Sequence, residues 1–436
     1  MRKNSKTLYR ARAERENPRM KNGAQKFAAA AVCWLASAVC SPAESSPPNK
    51  FSDNADFIAR HARTVVLERA NARAVVVPDW QARVAISTDD VRAGESFGWI
   101  NREAIAGGIL PADAAAGTLK AHIHAFGGQE RFWLAPEGGQ FCFYFPPGKS
   151  FEFSNWKVPA ALDTEPFQIE EQGADFARFR REMTLRNYSG STFKISCERT
   201  VSLIGAGELA AALKTDFDAS KVSFAAVKSR NRITNSGQTP WTAETGMPAI
   251  WLLGMFDASD TATIAVPIKK SPSGGENITD DYFGKIPSDR LKIRNGLLLM
   301  RADGGSRGKI GVPPECSKGI AAAYDSATKT LTLVIALTPV EAGAKYVNNR
   351  WEIQRNPFEG DAVNAYNDGP VNGAQMGRFF ELETTSPALP LKPRESFEYS
   401  QLTVHLRGDA GQLDKISKKV LGAGIGEISS AFAPSR

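Results

Sequence analysis

The chain has 436 residues, 42% of them hydrophobic and 23% charged, which is ordinary for a soluble globular protein. Its formal charge of +7 would suggest a nucleic-acid partner, but residues 1–43 hold nine Lys or Arg against two Glu, the whole of the excess. The rest carries 45 charges of each sign, so nothing supports a polyanion-binding domain, and no apolar run approaches the roughly 18 to 20 residues of a membrane span.

In chain order, the first segment reads as an export signal. Lys21 and Lys26 precede the apolar run FAAAAVCWLASAV, and Ala36, Ala38 and Ala43 offer small residues for cleavage. Met20 is an alternative start, because residues 1–19 are strongly polar. Cys40 raises a lipoprotein reading, which Val39 before it disfavours. The expectation is a signal peptide over 1–43 and a periplasmic or secreted protein. A Ser/Pro-rich tether over 44–53, one domain over 54–425 and a tail over 426–436 follow.

Residues 54–71 place Phe57, Ile58, Ala62, Val65 and Val66 at helical spacing, which predicts one helix. Beyond it strand signals dominate. VVLERANARAVVVPDWQARVAIST reads as strands broken by Asn, Pro and Asp, and FWLAPEGGQFCFYFPPG as two strands around a Gly-Gly turn. FARFRREMTLRNYSGSTFKISCERTVSL reads as a hairpin turning at Asn187–Gly190. PAIWLLGMF, ATIAVPI, KTLTLVIALTP and ESFEYSQLTVHLRG continue the pattern, with turn residues between them. The one strong late helix is 409–421, with Asp409 as its N-cap. Strands and helices do not alternate and no fixed repeat is present. The fold class predicted is therefore all-β, a large antiparallel β-sandwich with a few short helices.

Cys142, Cys197 and Cys316 are the cysteines left after the leader, an odd and sparse set that argues against a disulfide framework while leaving one bridge open. No CxxC, HxxxH or HExxH spacing occurs, so neither a metal nor another cofactor is expected.

The run RFFELETTSPALPLKPRESF (378–397) carries the main functional signal. Phe380, Leu382 and Thr384 fall on one face of a strand, and Glu381, Glu383 and Thr385 on the other. Leu382-Glu383-Thr384, with Pro387, Leu391, Pro393 and Glu395 after it, resembles the C-terminal signature of the aldose 1-epimerase (galactose mutarotase) family; Arg394 stands where that turn usually has glycine. HAFGGQERFW (124–133) is similar to that family's histidine-glycine-glycine segment. ITNSGQTPW (233–241) resembles its threonine-asparagine-histidine segment but has Ser236 in place of the histidine, and serine is too weak an acid for that role. GGQERFWLAPEGGQF, DYFGKIP, GDAVNAYNDGP and FFELETTSPA together look more closely like a group of exported bacterial proteins of mutarotase-like fold without settled activity.

The resemblance implies a super-β-sandwich whose concave sheet carries a carbohydrate site, with Glu383 as the general base at the anomeric hydroxyl. His124 and His405 are candidates for the missing acid: His122 and His124 would share a strand face, and His405 lies in LTVHL. The expectation is that Glu383 and one of these histidines face each other within about 10 Å across one pocket. Arg131, Trp133 and Glu137 alternate on one face of RFWLAPE and suit a sugar, or form a structural Arg–Glu pair. Glu244, beside Trp241, is a weaker version of that idea. Glu381 is either a surface residue or a second carboxylate of the site. Asn364, Asn367 and Asp368 are turn residues that could also bond sugar hydroxyls. Two readings stand at this point: an epimerase-like or glycoside-cleaving enzyme, and a non-catalytic glycan-binding or scaffold protein. In both the partner is a mono- or oligosaccharide.

Overall fold

The computed structural model describes residues 49–271 and 277–432, where eighteen strands run antiparallel to their neighbours in three sheets. The leader, with Met20, Lys21, Lys26, Val39 and Cys40, lies outside the described residues. β1 (Val65–Arg69), β2 (Ala72–Val77) and β3 (Arg83–Thr88) make a three-stranded sheet. Next come β4 (Arg131–Ala135), β5 (Gln168–Gln172), β6 (Phe176–Arg186), β7 (Thr192–Leu203) and β8 (Val222–Asn235). β9 (Ala249–Asp257), β10 (Ala262–Pro267), β11 (Leu291–Arg294), β12 (Leu297–Arg301) and β13 (Gly308–Val312) follow. β14 (Ile320–Asp325), β15 (Thr330–Ala336), β16 (Val363–Asn367), β17 (Phe379–Thr385) and β18 (Ser396–Gly408) complete the set. Ten strands order as β11-β12-β10-β14-β15-β18-β8-β7-β6-β5, and five as β13-β16-β17-β9-β4.

Alternation along the strands builds the layers. Ile310, Val312, Val363, Ala365, Phe380 and Leu382 on one face of the five-stranded sheet pack against Ile264, Val266, Leu298 and Met300 of the ten-stranded sheet. The other face of the ten-stranded sheet turns Leu402, Val404 and Leu406 toward Leu209, Leu213, Leu413, Ile416 and Leu421 of the helices Ala206–Leu213 and Ala410–Leu421. Each such side chain is worth about 1.5–3 kcal/mol of burial. On the opposite face of the five-stranded sheet, Trp133, Ala135, Trp251 and Leu253 join a further apolar cluster with Tyr144 and Trp156, and the charged residues of the sheet stand beside it.

The late helix is as predicted: the Asp409 carboxylate accepts from the Gln412 N–H, and Gly422 at φ +84° ends it. The hairpin of β6 and β7 turns at Asn187–Gly190, where Asn187 Oδ1 accepts from the Ser191 N–H. Two expectations are corrected. The first helix spans only Phe51–Ala59, because β-branched Val65 and Val66 join β1 and pair with β2 instead. FWLAPEGGQFCFYFPPG is not a hairpin: only its start is a strand. Gly138 is needed for close approach rather than a turn, since a Cβ there would lie 2.3 Å from the Arg350 carbonyl oxygen. The chain runs on against residues 348–354, where Gln140 and Gln354 exchange hydrogen bonds.

Candidate functional site on the outer face of the five-stranded sheet

Register sets the composition of this face. Gly311, Asn364, Glu383, Leu253 and Arg131 form one row across β13, β16, β17, β9 and β4. On the same face, Lys309, Tyr366, Glu381 and Met255 form the next row on one side of it, and Thr385, Trp251 and Trp133 the next row on the other. All of these project away from the apolar inner face.

Glu383 is fully buried at the centre. Lys309 reaches across β16 so that its Nζ stands 3.0 Å from both carboxylate oxygens, and the Trp251 indole donates to Oε2 at 2.9 Å. Only Oε2 receives well-directed hydrogen bonds; Oε1 receives none. Glu381 is ion-paired with Arg131, whose guanidinium lies 4.9 Å over the Trp133 ring.

Three carboxyl groups, those of Glu137, Glu381 and Glu383, converge electrostatically on Lys309. Burial works against the Lys309 ammonium, but these carboxylates outweigh it and its pKa lies above the ordinary value. Burial pushes Glu381 up to about 7; Arg131 opposes the shift and the Glu383 charge adds to it. Glu137 is raised for the same first reason, burial, against the pull of Lys309. Asp361 is pushed up to about 6 by burial, despite a 2.6 Å hydrogen bond from the Tyr282 hydroxyl.

Two irregular segments cover the face. Tyr282 belongs to one; Asn349, Arg350 and Trp351 belong to the other. They are tied together by the Arg350–Asp281 ion pair at 2.5 Å and by the Arg350 guanidinium 5.3 Å from the Tyr282 ring centre. Glu137 is fixed beneath them by its N–H donating to Asn349 Oδ1 at 2.8 Å.

Several buried polar atoms here have no hydrogen-bond partner within the protein: Arg131 Nε, Trp133 Nε1, Asn349 Nδ2, Asn364 Oδ1, Glu383 Oε1 and Thr385 Oγ1. Leaving a buried polar atom unpaired costs about 1–3 kcal/mol, so a concentration of them on one face calls for an explanation. The set contains both donors and acceptors, as a polyhydroxylated guest would require.

The predicted residues divide accordingly. Glu383, Glu381, Arg131, Trp133, Glu137 and Asn364 are brought together, and Glu381, its side chain 12% exposed, is a partly buried ion-pair partner of Arg131 rather than a surface residue. Both histidines require correction. His405 points into the space between the sheets: its ring stacks on Phe97 at 4.3 Å and meets Phe256, which is on the opposite face of β9 from Met255. Thr332 donates to its Nδ1, and its Nε2–H donates to Gln129. His124 lies in a loop, not on a strand, and its Nδ1 bonds Asp163 at 2.9 Å, with Arg83 and Phe126 beside it. Neither shares a hydrogen-bond, ion-pair or ring partner with Glu383. Asn364 and Asn367 are not turn residues but belong to β16; Asn367 ends that strand facing inward, its amide bonding Ser306 and Asp368 carbonyls while Oδ1 accepts from Gly304. Asp368 accepts from the Tyr366 hydroxyl at 2.6 Å and holds the rim through it. Glu244 sits exposed in a turn with Thr242 and Thr245, away from the cluster, and Trp241 is core. Ser236 is an exposed turn residue after β8.

Lys309, Trp251, Tyr282 and Asp361 were missed. The available signal was the alternation Lys309, Gly311 against Ile310, Val312, which marks a strand with one polar face. A cleft of about 300 Å³ elsewhere, lined by His61, Trp80, Ile105, Ile109 and Phe126, contains none of the charged cluster, so the site is assigned by chemistry rather than by openness. Among the described residues no group of three or more His, Cys, Asp or Glu side chains is gathered to hold a metal. No helix among them is long and apolar enough to cross a membrane.

A family model described as a family of unknown function, DUF6786, matches residues 49–432. The chain belongs to that family. No curated protein matches it. Among solved structures it is similar to a candidate aldose 1-epimerase from Escherichia coli K12, with 10% identity and a TM-score of 0.46, covering 80% of this chain and 99% of that one. A galactose mutarotase-like protein from Lactobacillus casei gives 11% identity and a TM-score of 0.44, covering 79% and 100%. A galactose mutarotase related enzyme from Lactobacillus acidophilus gives 11% and 0.41, covering 80% and 97%.

Proposed function

We propose that this DUF6786 member is an exported carbohydrate-active protein that binds a sugar on the outer face of the five-stranded sheet and moves protons at its anomeric centre. The observation that carries the reading is the single face on which Glu383, Glu381, Lys309, Arg131 and two indoles meet with unpaired donors and acceptors among them. Sugar hydroxyls both donate and accept, so they match such a mixed set. Trp133 is buried with its ring against Arg131, Tyr144 and Trp251, and what it turns toward this face is its unpaired indole N–H. Glu383 is the carboxylate at the centre of this face and the candidate base: the Trp251 indole donates to Oε2, and the Lys309 ammonium stands 3.0 Å from both oxygens.

A monosaccharide and glycan screen by calorimetry, run on wild type and Glu383→Gln, tests this. Saturable binding by wild type, altered by the substitution, supports it. Sugar binding in which Glu383→Gln behaves as wild type, with no turnover by either, favours the non-catalytic reading. Absence of any sugar binding removes the proposal.

A further inference from the structure

The charged face is closed. Glu383 and Asn364 are wholly buried, and Asp361, Lys309 and Asn349 nearly so. A guest of any kind reaches Glu383 only when one of the two covering segments moves, and the two are held differently. The segment with Asn349 and Trp351 is bound into the core. Its Tyr346 and Val347 are buried, Trp351 packs on Phe145 and Trp156, and Gln354 donates to the Asn348 and Arg350 carbonyls. The segment with Tyr282 contains a short loop, Asp280–Ile286, whose neck is closed by the Ile286 N–H donating to the Asp280 carbonyl at 3.1 Å. Lys285 pairs with Asp280 at 2.7 Å, so these bonds lie inside the loop and move with it. Ile286 is its one buried residue, and Gly284 at φ +99° has open space beside it. We propose that this loop is a gate over the charged face, with Tyr282 as the side chain that seals it.

The contacts of Tyr282 place it over the centre. The Lys309 Nζ, 3.0 Å from Glu383, lies 5.0 Å from the Trp251 ring centre and 5.8 Å from that of Tyr282. The Tyr282 hydroxyl donates to Asp361 Oδ2 at 2.6 Å, and a Cβ at Gly311 would stand 2.0 Å from that same oxygen. The hydroxyl is thereby fixed near Gly311, at the β13 end of the row that holds Asn364 and Glu383. Thr279, just before the loop, exchanges backbone hydrogen bonds with Gly311 at 2.9 and 2.7 Å and anchors the foot of the gate to the edge strand.

The holds on the gate face solvent, while the strain of closure lies beneath it. Arg350 and Asp281, which tie the loop to the firmer segment, are 35% and 52% exposed, and such a pair is weak and screened by salt. Phe283 is exposed, with the Arg307 guanidinium 3.7 Å from its ring centre. Closure keeps the Asp361 and Glu383 carboxylates from water and leaves Asn364 Oδ1 and Glu383 Oε1 without directed partners. Opening hydrates these groups, which offsets the bonds that Tyr282 gives up. Two arrangements of comparable free energy are what a gate requires. The proposal goes beyond the sugar-binding reading and holds for any guest of this face.

Hydrogen exchange without a ligand tests it. The Trp251 indole N–H, bonded to Glu383 and assigned through Trp251→Phe, is followed by NMR with the backbone amides of β9 and β17. Wild type, Tyr282→Phe and Arg350→Gln are compared across low urea concentrations, and wild type also in about 0.5 M NaCl. The indole is expected to exchange through a local opening, nearly independent of urea and faster than the most protected strand amides. Arg350→Gln and added salt are each expected to raise that rate roughly 2- to 5-fold, and Tyr282→Phe roughly 10-fold or more. An indole that tracks the slowest strand amides with their full urea dependence would overturn the gate, since only global unfolding would then uncover the face. A local opening that neither substitution nor salt alters overturns it too, because another segment would be moving. Should Tyr282→Phe fail to fold, Arg350→Gln and the salt series decide. A negative outcome leaves the sugar screen untouched, and a failed sugar screen leaves the gate standing.

Discussion

The Nζ of Lys309 on β13 stands 3.0 Å from both carboxylate oxygens of Glu383 on β17, reaching over the intervening strand β16. Both side chains are buried, at 6% and 0% exposure. The pair is the electrostatic centre of the site, and its loss has two distinguishable consequences.

Lys309→Met leaves the Glu383 carboxylate buried without its cation and is expected to cost about 3–5 kcal/mol, read as a lower urea midpoint at unchanged slope. Adding Glu383→Gln removes the stranded charge and is expected to recover most of that loss. Additive losses in the double variant would show that the two groups do not act as a pair.

His405 gives the fold an acid limit. Burial, then the nearby Arg407 charge, lower its pKa from 6.5 to about 3, so the folded protein keeps it neutral while the unfolded chain protonates near 6.5. Its contribution is present above pH 6.5 and is lost as pH falls, on the order of 4–5 kcal/mol by pH 3. In His405→Gln this part of the pH dependence is expected to disappear from the melting profile. An unchanged profile would place the acid sensitivity elsewhere.

Glu381 acts in the opposite direction. Its folded pKa of about 7 exceeds the ordinary carboxylate value of 4.5, so the folded state holds the extra proton between these values. Stability from this group is full below pH 4.5 and declines as pH rises to 7, by about 3 kcal/mol. Glu381→Gln is expected to flatten this decline, as followed by denaturant midpoints across that window. Persistence of the full slope would mean that Glu381 does not hold the proton.

Local chemistry was legible where a short segment decides its own conformation. The Asp409 cap, the Asn187 turn and the in/out alternation of Phe380, Leu382 against Glu381, Glu383 are all properties of a few neighbouring residues. The partner of Glu383 was not, because Lys309 lies 74 positions away and meets it only through the β13-β16-β17 order. His405 was misread for the same reason: its strand alternation was right, but which face of β18 is core depends on the sheet packed against it. His124 was misread because the Gly127-Gly128 bend ends the strand after it, so the preceding residues form a loop.

Arg394 tests the turn before β18. Its φ is +71°, a conformation that costs a residue with a Cβ about 1–2 kcal/mol, and its N–H still bonds the Asn235 carbonyl at 2.7 Å. Arg394→Gly relieves that cost, offset in part by the greater freedom of glycine in the unfolded chain, and is expected to raise stability by about 0.5–1 kcal/mol. A lower melting temperature would show that the arginine side chain contributes more than the backbone strain removes.

The most direct test of the central claim follows the Trp133 indole, whose N–H has no partner within the protein and lies on the proposed sugar face. Its ¹⁵N–¹H resonance, assigned through Trp133→Phe, is recorded while a panel of monosaccharides is added. The account predicts a saturable shift of this resonance with at least one sugar, weakened in Glu383→Gln. A Trp133 resonance that stays fixed while a sugar binds elsewhere, or throughout the panel, would contradict it.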